Sequence, residues 1–111
     1  MRYWAVDEAR DYLPRLRHLV EVVRRAAALA TVARTNGHGR APDEDPRAAL
    51  AELEAGDIIV RNVGNGLVDF HALGDDGVVY HLCYRLDEAD LQWWHLPEEG
   101  FAGRKPLPRH P

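Results

Sequence analysis

Asp69, His71, His81 and Cys83 lie close together in the second half of this chain. Imidazole, carboxylate and thiolate are the ligand types that Zn²⁺ and related ions take. The four residues sit on two segments of β-branched and aromatic character, 67–73 and 78–86, separated by Asp75-Asp76-Gly77. A three-residue hairpin with Gly77 in the left-handed position sets His71 across from His81 and Asp69 across from Cys83. Opposed Cβ atoms in such a ladder are about 5 Å apart and same-face diagonal neighbours about 7–8 Å. The expected metal ligands are therefore His71, His81, Cys83 and Asp69, and the expected cofactor is a divalent transition metal. The alternative is a solvated strand face, with Arg61 making a plain cross-strand ion pair to Asp69. Cys83 also has a nucleophile reading, because His81 and Arg85 could supply the base or positive charge a thiolate needs, against that of a buried, inert thiol.

A second constellation closes the chain. Trp93, Trp94 and Phe101 stand near His95, Glu98, Glu99 and Arg104, and Gly100 and Gly103 allow the run GFAGR to turn back over a sheet. This suits a pocket for a small anionic or aromatic ligand, with Arg104 or Arg85 as a guanidinium fork. The expected ligand-binding set is Asp69, Arg85, Trp94, His95 and Arg104. The alternative is that the segment only covers the sheet, Arg104 pairing with Asp69 or Glu98. No phosphate loop, triad spacing or paired-carboxylate motif is visible, so no reaction is assigned.

These side chains need a sheet and a layer to pack on it. Hydrophobic periodicity predicts a long helix over 13–33, carrying two adjacent stripes: Leu13, Leu16, Val20, Val23, Ala27, Ala30 and Leu19, Val22, Ala26, Leu29, Ala33. Pro14 suits its first turn, with 5–12 as a separate short helical turn. A loop over 35–45 follows, then a helix over 46–55 capped by Asp45, begun by Pro46 and stopped by a left-handed Gly56. Strands are expected over 57–63, 67–73, 78–86 and 91–96, with a C-terminal turn over 97–111. A three-residue loop at 75–77 pairs Val68 with Tyr84, Phe70 with Leu82 and Ala72 with Tyr80, an apolar face that other loop lengths would mix with polar residues. The same loop length at 64–66 aligns Val60 with Phe70 and Ile58 with Ala72, and places Arg61 beside Asp69. The expected fold class is α+β, two N-terminal helices packed on one face of a three- to four-stranded antiparallel meander, as a single domain over 1–111.

The 111 residues leave room for one core, and 46% hydrophobic with 29% charged content is ordinary for a globular protein. A net charge of −4 argues against nucleic acid as a partner. Basic charge is nearly all arginine, Lys105 being the sole lysine. Cys83 has no second cysteine to pair with, and no basic-then-apolar leader or span of ~20 apolar residues appears, so the reading is cytoplasmic with no membrane contact. The double apolar stripe is wider than a small sheet can cover, so a homo-oligomer is expected. The competing function is then a homo-oligomerising interaction module without catalytic activity.

The runs Gly66-Leu67-Val68-Asp69-Phe70, Leu82-Cys83-Tyr84-Arg85-Leu86, Trp94-His95 and Gly100-Phe101-Ala102-Gly103-Arg104 resemble, in order and spacing across 66–107, a family of small prokaryotic proteins known as domain of unknown function two-two-zero-three. Glu8-Ala9 and Leu13-Pro14 are more loosely similar. The resemblance implies no activity or cofactor. It marks Asp69, Cys83, Arg85, Trp94, His95 and Arg104 as the matching positions with chemical content. The family tends to have proline at the position of His71, an aromatic at His81 and an acidic residue at Leu96, so the histidine pair is a departure from its pattern.

Overall fold

The computed structural model describes residues 1–36 and 44–110, with side chains from 32 to 36 left undescribed. The first helix, α1 (Val6–Asn36), begins well before the expected start and runs through Pro14 without a break. Its start is set by Glu8, whose carboxylate accepts the Ala5 backbone N–H at 2.9 Å, the reciprocal half of a capping box. Asp7 and Glu8 add negative charge where the helix dipole favours it. Burial of Ala9, Leu13 and Leu16 on either side of Pro14 offsets the missing backbone hydrogen bond. The separate turn expected over 5–12 is therefore part of one helix. The helix also continues through Thr35 and Asn36, and most of the loop expected over 35–45 lies outside the described residues.

The second helix, α2 (Pro46–Ala55), begins as expected, with Asp45 accepting the Arg47 N–H at 2.9 Å. Its end differs. Gly56 has φ −89°, and the left-handed residue is Asp57, at φ 54°. Glycine is favoured at 56 for a different reason: an added Cβ would lie 3.1 Å from Trp4, whose indole N–H donates to the Gly56 carbonyl at 2.8 Å.

Among the described residues the sheet has five strands in meander order, each antiparallel to its neighbour: β1 (Ile59–Asn62), β2 (Leu67–Leu73), β3 (Val79–Tyr84), β4 (Trp93–His95) and β5 (Lys105–Pro106). The fold is α+β, with five strands instead of three to four. The fifth comes from the segment expected to be only a turn, where Trp93 pairs with Pro106 and Trp94 with Lys105. Leu107 N–H extends this pairing to the Gln92 carbonyl at 2.8 Å. Two residues, one of them proline, carry no alternation from which a strand can be read.

The β2–β3 register is the expected one: Val68 opposes Tyr84, Phe70 opposes Leu82, Ala72 opposes Tyr80, His71 opposes His81 and Asp69 opposes Cys83. The β1–β2 register is not. Val60 pairs with Val68 and Asn62 with Leu67, so the expected pairing of Val60 with Phe70 is replaced and a bulge falls at Arg61. Asn62 and Asn65 cause the difference, because their side-chain oxygens accept the N–H groups of Asn65 and Leu67 and build the turn from side-chain bonds.

One buried cluster joins Leu13, Leu16, Leu19, Val20 and Val23 of α1, Ala49 and Leu53 of α2, and Val68, Phe70, Leu82 and Tyr84 of the sheet. Trp4 closes it, edge-on to Phe70 at 5.2 Å between ring centres. Among the described residues no helix is long and apolar enough to cross a membrane.

Candidate metal centre

Strand alternation sends Val68, Phe70, Leu82 and Tyr84 into that cluster and leaves Asp69, His71, His81, Cys83 and His95 on the other face. Two rows cross the sheet there. His71, His81 and His95 form one, with Asp69, Cys83 and Trp93 beside it. The three imidazoles meet edge to face, 4.9 Å from His71 to His81 and 5.3 Å from His81 to His95.

Asp69, His81 and His95 are all buried, and each offers a ligand atom within 4.8 Å of the other two. His95 Nε2 is 2.9 Å from Asp69 Oδ1. His81 Nδ1 is 3.5 Å from Asp69 Oδ2, long for a hydrogen bond, and has no hydrogen-bond partner among the described residues. Bonds of ~2.0–2.1 Å to a tetrahedral Zn²⁺ place neighbouring ligand atoms about 3.3 Å apart, a spacing that the two contacts to Asp69 bracket at 2.9 and 3.5 Å.

The hydrogen bond on the far side of His95 fixes its proton. Nδ1 lies 2.7 Å from the Leu96 carbonyl, which can only accept, so Nδ1 carries hydrogen. Nε2 then either donates a second proton to Asp69, making an imidazolium, or is bare and able to coordinate. The latter is the usual second shell of a metal-bound histidine, whose other ring nitrogen donates to a carbonyl or carboxylate.

Asp69 is the anionic hub. Arg61 Nε donates to its Oδ2 at 2.9 Å. Burial pushes the carboxyl pKa up, but the adjacent His81 ring, the hydrogen bond from Arg61 and the contact with His95 outweigh it and hold the carboxyl well below its ordinary range. Cys83 moves the other way. Burial, and then the Asp69 charge, push its thiol up to about 12, against a smaller opposing pull from Arg104. Without a metal it stays a protonated thiol near neutral pH, which does not suit a nucleophile.

Of the four metal ligands read from sequence, Asp69 and His81 belong to the buried group, while His71 and Cys83 stand beside it. His71 Nδ1 is 2.8 Å from the Asp57 carbonyl and its ring leans on His81. His95, read from sequence as part of the ligand set, completes the group. Its signal lay in the β3–β4 register, which sets it opposite His81.

The rest of the expected ligand set is dispersed. Trp94 packs against the hydrophobic core, with Lys105 4.8 Å and Arg109 5.2 Å from its ring. Lys105 Nζ also bonds both Glu99 carboxylate oxygens, at 2.7 and 2.9 Å. Arg85 pairs with Asp87 at 2.6 Å and lies over Phe101. Arg104 reaches Glu88 at 2.5 Å and the Cys83 carbonyl at 3.2 Å, flanked by Trp93 and Phe101. Its partner is Glu88, neither Asp69 nor Glu98, and nothing in the sequence marked Glu88 for that role. The turn Phe101–Gly103 is therefore pinned by an ion pair within the protein, although Arg104 Nε is buried without a hydrogen-bond partner among the described residues. Hydrogen exchange should find the Gly103 and Arg104 amides protected, and Glu88→Ala should raise their exchange about tenfold or more by leaving Arg104 unpaired. Free exchange in the wild-type chain would show that the turn is not held.

Residues 32–107 match the family described as an uncharacterized conserved protein, DUF2203. No curated protein and no solved structure matches the chain.

Proposed function

The chain belongs to DUF2203, whose description assigns no activity, and from its own geometry we propose that it binds one divalent transition metal through Asp69, His81 and His95. The observation that carries this reading is the buried His81 Nδ1, left without a hydrogen-bond partner and turned toward the carboxylate that His95 also faces. A buried polar atom without a partner costs about 1–3 kcal/mol, and a metal ion would supply one. Two imidazoles and a carboxylate suit Zn²⁺, Co²⁺ or Ni²⁺ better than the hard cations Ca²⁺ and Mg²⁺. The ion's role is to bind and brace the polar face of the sheet, and no reaction is assigned to it.

Calorimetric titration of Zn²⁺, Ni²⁺ and Ca²⁺ into chelator-treated protein tests the reading. One Zn²⁺ or Ni²⁺ should bind per chain and Ca²⁺ should not. His81→Ala and His95→Ala should each weaken binding about 100-fold or more, whereas His71→Ala and Cys83→Ala should change it less than tenfold. Equal affinity in the His81→Ala and His95→Ala variants would place any bound metal elsewhere.

The single buried cluster supports the reading that both helices cover the face of the sheet opposite the metal residues. Self-association through α1 draws less support. Leu13, Leu16, Leu19, Val20 and Val23 are consumed within the chain's own core, leaving small side chains such as Ala27 and Ala28 exposed. Light scattering at micromolar concentration distinguishes a dimer from a monomer.

A further inference from the structure

Arg61 stands apart from the group it contacts. Its side chain is 44% exposed, against 3% for Asp69, although their atoms are 2.9 Å apart. It occupies the bulge between the Val60–Val68 and Asn62–Leu67 pairs, on strand β1 at the sheet edge. Bulges leave a residue out of the ladder and re-aim its side chain. Arg61 can thus swing into solvent without breaking a strand hydrogen bond, whereas Asp69, His81 and His95 are fixed within the sheet.

We propose that Arg61 is a displaceable counter-ion that competes with the bound metal for Asp69. This rests on the metal reading above. The guanidinium satisfies Oδ2, the oxygen nearest His81 Nδ1, and holds a positive charge against the carboxylate that a cation would share. Metal loading drives Arg61 outward, and retention of Arg61 on Asp69 weakens loading. The affinity of the site is therefore set partly by a residue that is not a ligand.

Zn²⁺ titration of the full chain as wild type, Arg61→Gln, Arg61→Lys and His95→Ala tests this. Arg61→Gln should bind Zn²⁺ about tenfold tighter and associate faster, since removing a partly screened like charge favours the ion. Arg61→Lys keeps the charge and should stay near wild type. In the wild type, the Arg61 Nε–H resonance should lose its exchange protection as Zn²⁺ saturates. A merely structural arginine would give weaker binding in Arg61→Gln and an unmoved resonance. Wild-type binding that is lost in His95→Ala but unchanged or weakened in Arg61→Gln overturns the role of Arg61 alone. Failure of both wild type and Arg61→Gln to bind Zn²⁺ overturns the metal reading and this one with it.

Discussion

Asp69→Ala should destabilise the metal-free protein by about 3 kcal/mol and abolish Zn²⁺ binding. Removing one member of a buried ion pair typically costs ~3–5 kcal/mol, because the other charge stays buried without compensation. Here His95 would remain inside with Nε2 unpartnered, while Arg61, already half in solvent, would rehydrate at little cost. The lower end of the range follows. For a domain of this size the melting temperature should fall by roughly 10–20 °C. The pH dependence has a definite sign. A carboxyl held below its ordinary range in the folded state contributes stability in full above the unfolded value near ~3.9, and loses it as pH falls toward the folded value. Urea denaturation across that acid range should show a slope in the wild type that Asp69→Asn flattens. Identical slopes would mean that Asp69 is not the anionic hub of this face.

Leu16→Ala addresses the apolar cluster and should cost about 2–5 kcal/mol. The side chain is fully buried in the cluster that contains Phe70, Leu82 and Tyr84, and its loss combines a transfer term with a cavity that a crowded core cannot close. Zn²⁺ affinity measured well below the midpoint of unfolding should be unchanged, because Leu16 belongs to the apolar cluster and not to the group around Asp69. The pair of variants separates the two faces: one changes stability alone, the other stability and metal together. A loss below about 1 kcal/mol in Leu16→Ala would show that α1 is not seated on the sheet as its buried stripe implies.

The β2–β3 hairpin was legible in the sequence because its apolar face admits one good pairing. Val68 with Tyr84, Phe70 with Leu82 and Ala72 with Tyr80 leave Asp69, His71, His81 and Cys83 together on the other face without further choice. His95 was not legible as a partner of His81. The connection from Arg85 to Gln92 has no hairpin signature, and β4 is three residues long, so its register follows from contacts distant in sequence, including Arg104 with Glu88 and Leu107 with Gln92. The bulge at Arg61 was hidden for a different reason. Gly64-Asn65-Gly66 suits a three-residue turn, but bonds from the Asn62 and Asn65 side chains select another geometry at similar local cost. Helix α1 shows the limit of local propensity, since Pro14 reads as a boundary until the Glu8 cap and the buried residues around it outweigh it.

Lys105 gives the fold an uncommon chemical simplicity. It is the only side-chain primary amine among 111 residues, and it is tied into β5 by Glu99 and lies over Trp94. Acylating reagents, amine-directed cross-linkers and enzymes that modify lysine all meet a single side-chain target, and that target helps hold the last strand against the sheet. Neutralising the ammonium would release Glu99 and remove a cation from an indole face in one step. Arg109 stays over the same ring, 5.2 Å away, so Trp94 keeps one of its two cations. Apart from the Met1 α-amine, a label therefore falls on Lys105 and probes whether the C-terminal segment is seated.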